Sequence, residues 1–156
     1  MRIIAGAHKG RTLKTPNWEG LRPTSDRLRE TLFNILAPRI AGARVLDAFA
    51  GTGAVALEAL SRGAAAAVCV ERDRRAAALL EENRARVGEE SGCMILRDDA
   101  RRALAAPVPG GPFDIVFLDP RTICPSWTPS RPGLPHSWRP ADCWCSSMRR
   151  AGPRHT

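Results

Sequence analysis

From Ala43 onward, short apolar runs alternate with longer amphipathic ones, the pattern of an α/β layer fold built on a parallel sheet. The spacing predicts strands over 44–49, 66–70, 94–96 and 113–118, and helices over 54–62, 74–87 and 100–105. Each strand closes on a polar or glycine-rich turn. Ligands of open α/β sheets bind beyond the carboxyl ends of the strands, so those turns are where chemistry is expected. The 156 residues suffice for one core and are too few for two ordinary ones. No apolar run approaches the roughly 18 residues of a membrane span, and Met1 to Lys9 lack the apolar stretch of a signal peptide. The expected protein has no membrane partner and is cytoplasmic. Five cysteines (Cys69, Cys93, Cys124, Cys143 and Cys145) without a CxxC spacing argue against a disulfide framework or a metal site.

The net charge of +8 is unevenly distributed. Residues 1–44 carry nine basic and three acidic side chains, whereas residues 45–120 carry nine and twelve. A basic segment ahead of a mildly acidic body suits a nucleic-acid-binding appendage on a catalytic unit, because phosphate attraction supplies most sequence-independent affinity. A generally basic, solvated surface is the competing reading. Two short runs around Ala7-His8-Lys9-Gly10 predict a basic β-hairpin. After Pro16 and Pro23, Thr24 or Ser25 can cap a helix with Leu28, Leu32, Ile35 and Leu36 on one inward face. Arg22, Arg27 and Arg29 then cluster at its start, facing RNA or water.

The strand ends carry the chemistry. Asp47-Ala48-Phe49-Ala50-Gly51-Thr52-Gly53 joins a buried strand to a helix through two glycines, which lets the backbone turn tightly beside a ligand. A GxG alone is weak evidence, but Asp47 before the turn would repel a pyrophosphate and suits a cationic group. The pair favours the amino acid moiety of S-adenosylmethionine over a nicotinamide dinucleotide. Glu71 closes the next strand about 20 residues on, where a carboxylate can accept both hydrogen bonds of a ribose diol; a solvated strand-end Glu is the alternative. Asp98-Asp99-Ala100 can contact an adenine amino group, cap a helix, or both. Asp119-Pro120 ends the fourth apolar strand, where a carboxylate can hold an exocyclic amine toward a methyl donor; a simple turn is the alternative.

These residues resemble a known family. MRIIAG at the start, GLRPTSDRLRETLFN at 20–34, GARVLDAFAGTGAVALEALSRGA at 42–64, VERD at 70–73, DDA at 98–100 and FDIVFLDP at 113–120 resemble the bacterial 16S rRNA guanine-N2 methyltransferases of the RsmD type. The resemblance implies an α/β class I S-adenosylmethionine-dependent fold, a Rossmann-like doubly wound sheet with an N-terminal basic hairpin. It implies that Asp47, Gly51 and Gly53 line the methionine part of the cofactor, Glu71 the ribose and Asp99 the adenine, with Phe49 and Ala100 completing the set. Asp119 and Pro120 would meet the target base. Arg2, Lys9, Arg11, Lys14, Arg22, Arg27 and Arg29 would dock 16S rRNA or a small-subunit particle. The implied reaction is direct methyl transfer by a monomer without a metal, onto a base in a loop or flipped out of its stack.

The resemblance stops at residue 120. The family continues Asp-Pro-Pro-aromatic, but here Arg121-Thr122 follows, and the aromatic expected to stack on the base is missing. Residues 121–156 hold six prolines and six arginines, with only Ile123, Leu134 and Met148 as aliphatic core formers, too few to offset the entropy of ordering. The expectation is a fold truncated after its fourth strand: residues 1–40 as an RNA-docking unit, 41–120 as the cofactor-binding core and 121–156 as a non-homologous tail. A shift of reading frame after the Pro120 codon is compatible with the departure, since one choice of codons restores Pro-Tyr. A binding remnant without catalysis, and less so a DNA adenine-N6 methyltransferase, are the rival functions.

Overall fold

The structure, a computed structural model, describes residues 1–19 and 24–119 and the backbone of a short strand at Cys143–Trp144. Arg22, Pro120 and the remaining tail positions lie outside the described residues. Chain order is α1 (Asp26–Ile40), β1 (Arg44–Asp47), α2 (Ala54–Ser61), β2 (Ala66–Val70), α3 (Arg74–Val87), β3 (Cys93–Leu96), α4 (Ala100–Ala103), β4 (Ile115–Phe117) and β5 (Cys143–Trp144). Within the five-stranded sheet every pairing is parallel, in the order β3-β2-β1-β4-β5. The order reverses between β1 and β4, and the carboxyl ends of these two strands bound the crevice where such sheets hold ligands. The two-residue β5, beside β4, has no counterpart in the apolar patterning of the sequence.

Strand residues alternate between two cores, as the period of two requires. Val45, Ala67, Cys69, Ile115 and Phe117 face α1, α2 and α3, with Leu32, Phe33, Leu57, Leu80 and Val87. Leu46, Val68, Val70 and Val116 face the opposite layer, with Ala100, Leu104 and Phe113. Helices thus cover both faces, which makes the sheet doubly wound. Caps explain the helix limits. Ser25 accepts from the Leu28 N–H at 3.2 Å, and Asp73 accepts from the N–H groups of Arg75 and Ala76. Gly88, in the left-handed region at φ 78°, ends α3.

Two N-terminal expectations need correction. The hairpin exists, but as one antiparallel bridge between Arg2 and Thr12, with Ile3 N–H donating to Arg11 O and Leu13 N–H to Met1 O. Its Ile3 and Leu13 are buried in the same core as β1 and α2. The inward stripe of α1 is Arg29, Leu32, Phe33 and Ile40, while Ile35 is 58% exposed. The stripe turns because Arg29 has a buried partner: its guanidinium lies 3.7 Å from Glu58 of α2 and donates to Arg2 O and Asp26. Arg29 is fully buried and presents nothing to RNA.

Glu58 and Ser61 clamp the hairpin to α2. The buried Glu58 carboxylate accepts from the N–H groups of Ile4 and Ala5, at 2.8 and 3.0 Å, and from Arg62 Nε at 2.7 Å. Ser61 donates through its hydroxyl to Ala5 O and accepts from His8 N–H. At Gly6, with φ 87°, a Cβ would sit 1.8 Å from Ser61 O, so only glycine permits this approach.

Candidate active site

The turn after β1 is held by its neighbours' backbone. Ala48 N–H donates to Phe117 O of β4, and Ala50 N–H to Val70 O of β2. Gly53, at φ 78°, begins α2 without a side-chain cap, and a Cβ there would meet Leu80 at 2.9 Å. The glycine therefore serves both the turn and the contact with α3.

Three of the predicted carboxylates, Asp47, Glu71 and Asp119, come close enough around this turn for the latter two to act on the charge of Asp47. Asp47, 4% exposed, accepts from Phe49 N–H at 3.2 Å. Burial pushes its carboxyl up to about 7; the Phe49 N–H works against this, while the nearby charges of Asp119 and Glu71 reinforce it. Glu71 is not a free strand-end carboxylate: it accepts from Gly51 N–H and from Asp73 N–H, each at 2.8 Å. It thus sets the glycine turn and the start of α3, and each of its oxygens keeps a lone pair for a further donor. Asp99 caps α4 by accepting from Arg101 N–H at 2.9 Å and lies 3.4 Å from Arg72. Phe49 and Asp119 are half-buried at the same edge, and Ala100 is buried beneath it. A buried carboxylate against a glycine turn and an uncapped helix start fits the amino acid end of S-adenosylmethionine, whose ammonium supplies the missing positive charge.

The predicted basic set divides. Arg2, Lys9 and Arg27, together with Asp26 and Glu30, line a cleft of about 370 Å³ between hairpin and α1. Arg11 and Lys14 turn toward α3: Arg11 donates to the terminal carbonyls of Arg86 and Val87, and Lys14 pairs with Glu82. Sequence reasoning missed Glu58 and Asn83, both fully buried. For Asn83 a signal existed, since it interrupts an otherwise apolar stripe of Ala76, Leu80 and Val87 on α3.

The family described as Conserved hypothetical protein 95 matches residues 1–121. This chain belongs to it. Within this family, which we call RsmD after the named relatives, the "Ribosomal RNA small subunit methyltransferase D" of Escherichia coli K12 is 48% identical over 120 residues, covering 77% of this chain and 59% of that protein. The protein of the same name from Haemophilus influenzae is 43% identical over 121 residues, covering 77% and 63%. The solved structure of yhhF from Escherichia coli, 43% identical, superposes with a TM-score of 0.68 over 78% of this chain and 64% of that one. The chain thus spans about three fifths of the length of these curated relatives, 59% and 63%. The match to the RsmD family ends at residue 121, where the sequence departs from the Asp-Pro-Pro-aromatic pattern.

Proposed function

We propose that this RsmD-family chain is a methyltransferase acting on the N2 amino group of a guanine in 16S rRNA, with S-adenosylmethionine as donor. The observation that carries the reading is the carboxylate cluster at the carboxyl ends of β1, β2 and β4, centred on the buried Asp47 and closed by a glycine turn. Such a cluster selects a cationic nucleoside ligand. The names of the relatives supply the RNA, and the cleft lined by Arg2, Lys9 and Arg27 supplies a surface for its phosphates. That Asp119 and Pro120 match the family's base-binding motif supports the guanine amine as acceptor.

When bound, S-adenosylmethionine supplies an already activated methyl group on sulfur. The residues of the chain have to align the reactants, which contributes most where no general base is required. Asp47 and the Gly51–Gly53 turn fix the amino acid end of the donor. Glu71 offers its remaining lone pairs to the ribose hydroxyls, and the Asp98–Ala100 turn borders the adenine. Asp119 accepts a hydrogen bond from the exocyclic amine, directing the nitrogen at the methyl group; the N–C bond would form as the S–C bond breaks to leave a neutral thioether, and the proton the amine loses would pass by way of Asp119 to solvent. Arg2, Lys9 and Arg27 hold the RNA backbone so that the target base reaches the crevice.

The test is binding of S-adenosylhomocysteine by calorimetry, followed by transfer of labelled methyl to small ribosomal subunits from cells lacking the modification. Naked 16S rRNA and duplex DNA serve as competing acceptors. The expected result is label recovered as N2-methylguanine, with Asp119→Asn lowering the rate about a hundredfold while still binding the cofactor product. Binding without turnover on any acceptor would make the chain a cofactor-binding remnant, and label in adenine of the duplex would overturn the RNA reading.

A further inference from the structure

Asn83 is fully buried in the C-terminal part of α3, a position where an amide is costly unless its hydrogen bonds are satisfied. Its bonds lead in two directions. Toward the hairpin, Oδ1 accepts from Lys14 N–H at 2.7 Å and Nδ2 donates to Lys14 O at 3.1 Å, imitating a strand partner for the hairpin's second arm. Toward the crevice, the same Nδ2 donates to Thr52 O at 3.0 Å. Thr52, itself buried, lies between the two glycines of the cofactor turn.

Other contacts tie the arm to α3, through Arg11 on the last carbonyls of the helix and Lys14 beside Glu82. Leu80 touches the turn at Gly53. Asn83 joins arm and turn through one rigid amide plane, so a shift of either segment is felt at the bond to the other. Both Nδ2 hydrogens are used, one on each side.

We propose that Asn83 is a positioning residue that couples the cofactor turn to the basic hairpin. The inference rests on the reading above, in which the turn holds S-adenosylmethionine and the hairpin holds RNA. Filling the turn restricts Thr52, Thr52 restricts the Asn83 amide, and the amide restricts the arm at Lys14. By linkage, RNA held on the hairpin strengthens cofactor binding by the same factor.

Amide hydrogen exchange on the full chain, with and without S-adenosylhomocysteine, tests this. In the wild-type chain the ligand slows exchange both over 50–53 and over 12–15, the latter by about fivefold or more. Asn83→Asp keeps the acceptor for Lys14 N–H and loses both donated bonds. In this variant the ligand still protects 50–53 while the response over 12–15 disappears. Asn83→Ser, which buries no charge, gives the same separation if the Asp variant fails to fold. A purely structural anchor would raise exchange over 12–15 equally with and without ligand, leaving the ligand-induced ratio unchanged, and that result would overturn the coupling. A wild-type chain protected over 50–53 but unresponsive over 12–15 would overturn it without any variant. Absence of protection at 50–53 would overturn the cofactor reading, and the coupling with it.

Discussion

At Asp47 a carboxylate has been taken out of water with the Phe49 N–H as its hydrogen-bonding compensation, and the two nearby carboxylates make its ionisation harder still. Its pKa is about 7 in the folded chain against an ordinary 3.8. Between those values the folded state keeps a proton that the unfolded chain releases, so stability falls as pH rises through this window and levels off above it. The deficit amounts to at most about 4 kcal/mol. Asp47→Asn retains an acceptor for Phe49 N–H and removes the charge. Urea unfolding is therefore expected to give the Asn variant the higher midpoint at pH 8, with the advantage fading toward pH 4. Calorimetry at pH 8 should show its affinity for S-adenosylhomocysteine lowered about tenfold, the value of one lost charge-assisted contact. On the proposed reading, Asp47 destabilises the unliganded fold and strengthens ligand binding, the expected trade at a functional position.

At the scale of elements, the seam between hairpin and α2 decides whether the N-terminal segment stays in place. Glu58→Ala would strip Ile4 N–H and Ala5 N–H of their acceptor and leave Arg29 buried without its carboxylate partner on α2. A loss of about 3–5 kcal/mol is expected in denaturant titrations, the usual consequence of removing one member of a buried ion pair. The same seam shows what a sequence can disclose. Helix α3 was legible at both ends, because Asp73 and Gly88 act on residues within one turn of themselves. The strands and the carboxylates at their ends were legible because apolar runs and their breaks are local. The inward face of α1 was misjudged because Arg29 is buried by a partner 29 positions away, which no helical period encodes. The hairpin shrank to one bridge for a related reason: Gly6 bends its first arm onto Ser61 and away from its neighbour. Asn83 broke a readable stripe, but its partners at Lys14 and Thr52 emerge only when three separate segments meet.

For the molecule as a whole, the division of the basic side chains yields a directional test. Arg2, Lys9 and Arg27 line one cleft, whereas Arg11 and Lys14 are already engaged by α3. On the proposed reading, replacing the first three by Gln weakens rRNA binding and lowers the slope of log affinity against log salt by about 2, the effect of roughly three lost contacts to single-stranded phosphate. Replacing Arg11 and Lys14 should change that slope less, and filter binding over a salt series separates the two sets. The clamp at Glu58 also has a consequence in time. Its bonds to Ile4 and Ala5 span 54 and 53 positions, and the chain between them includes α1, β1 and the first half of α2. A ribosome releasing this chain exposes the first arm well before its acceptor exists, so the hairpin must wait undocked until α2 has emerged and wound. An arm synthesised ahead of its acceptor thus docks only after that acceptor is in place.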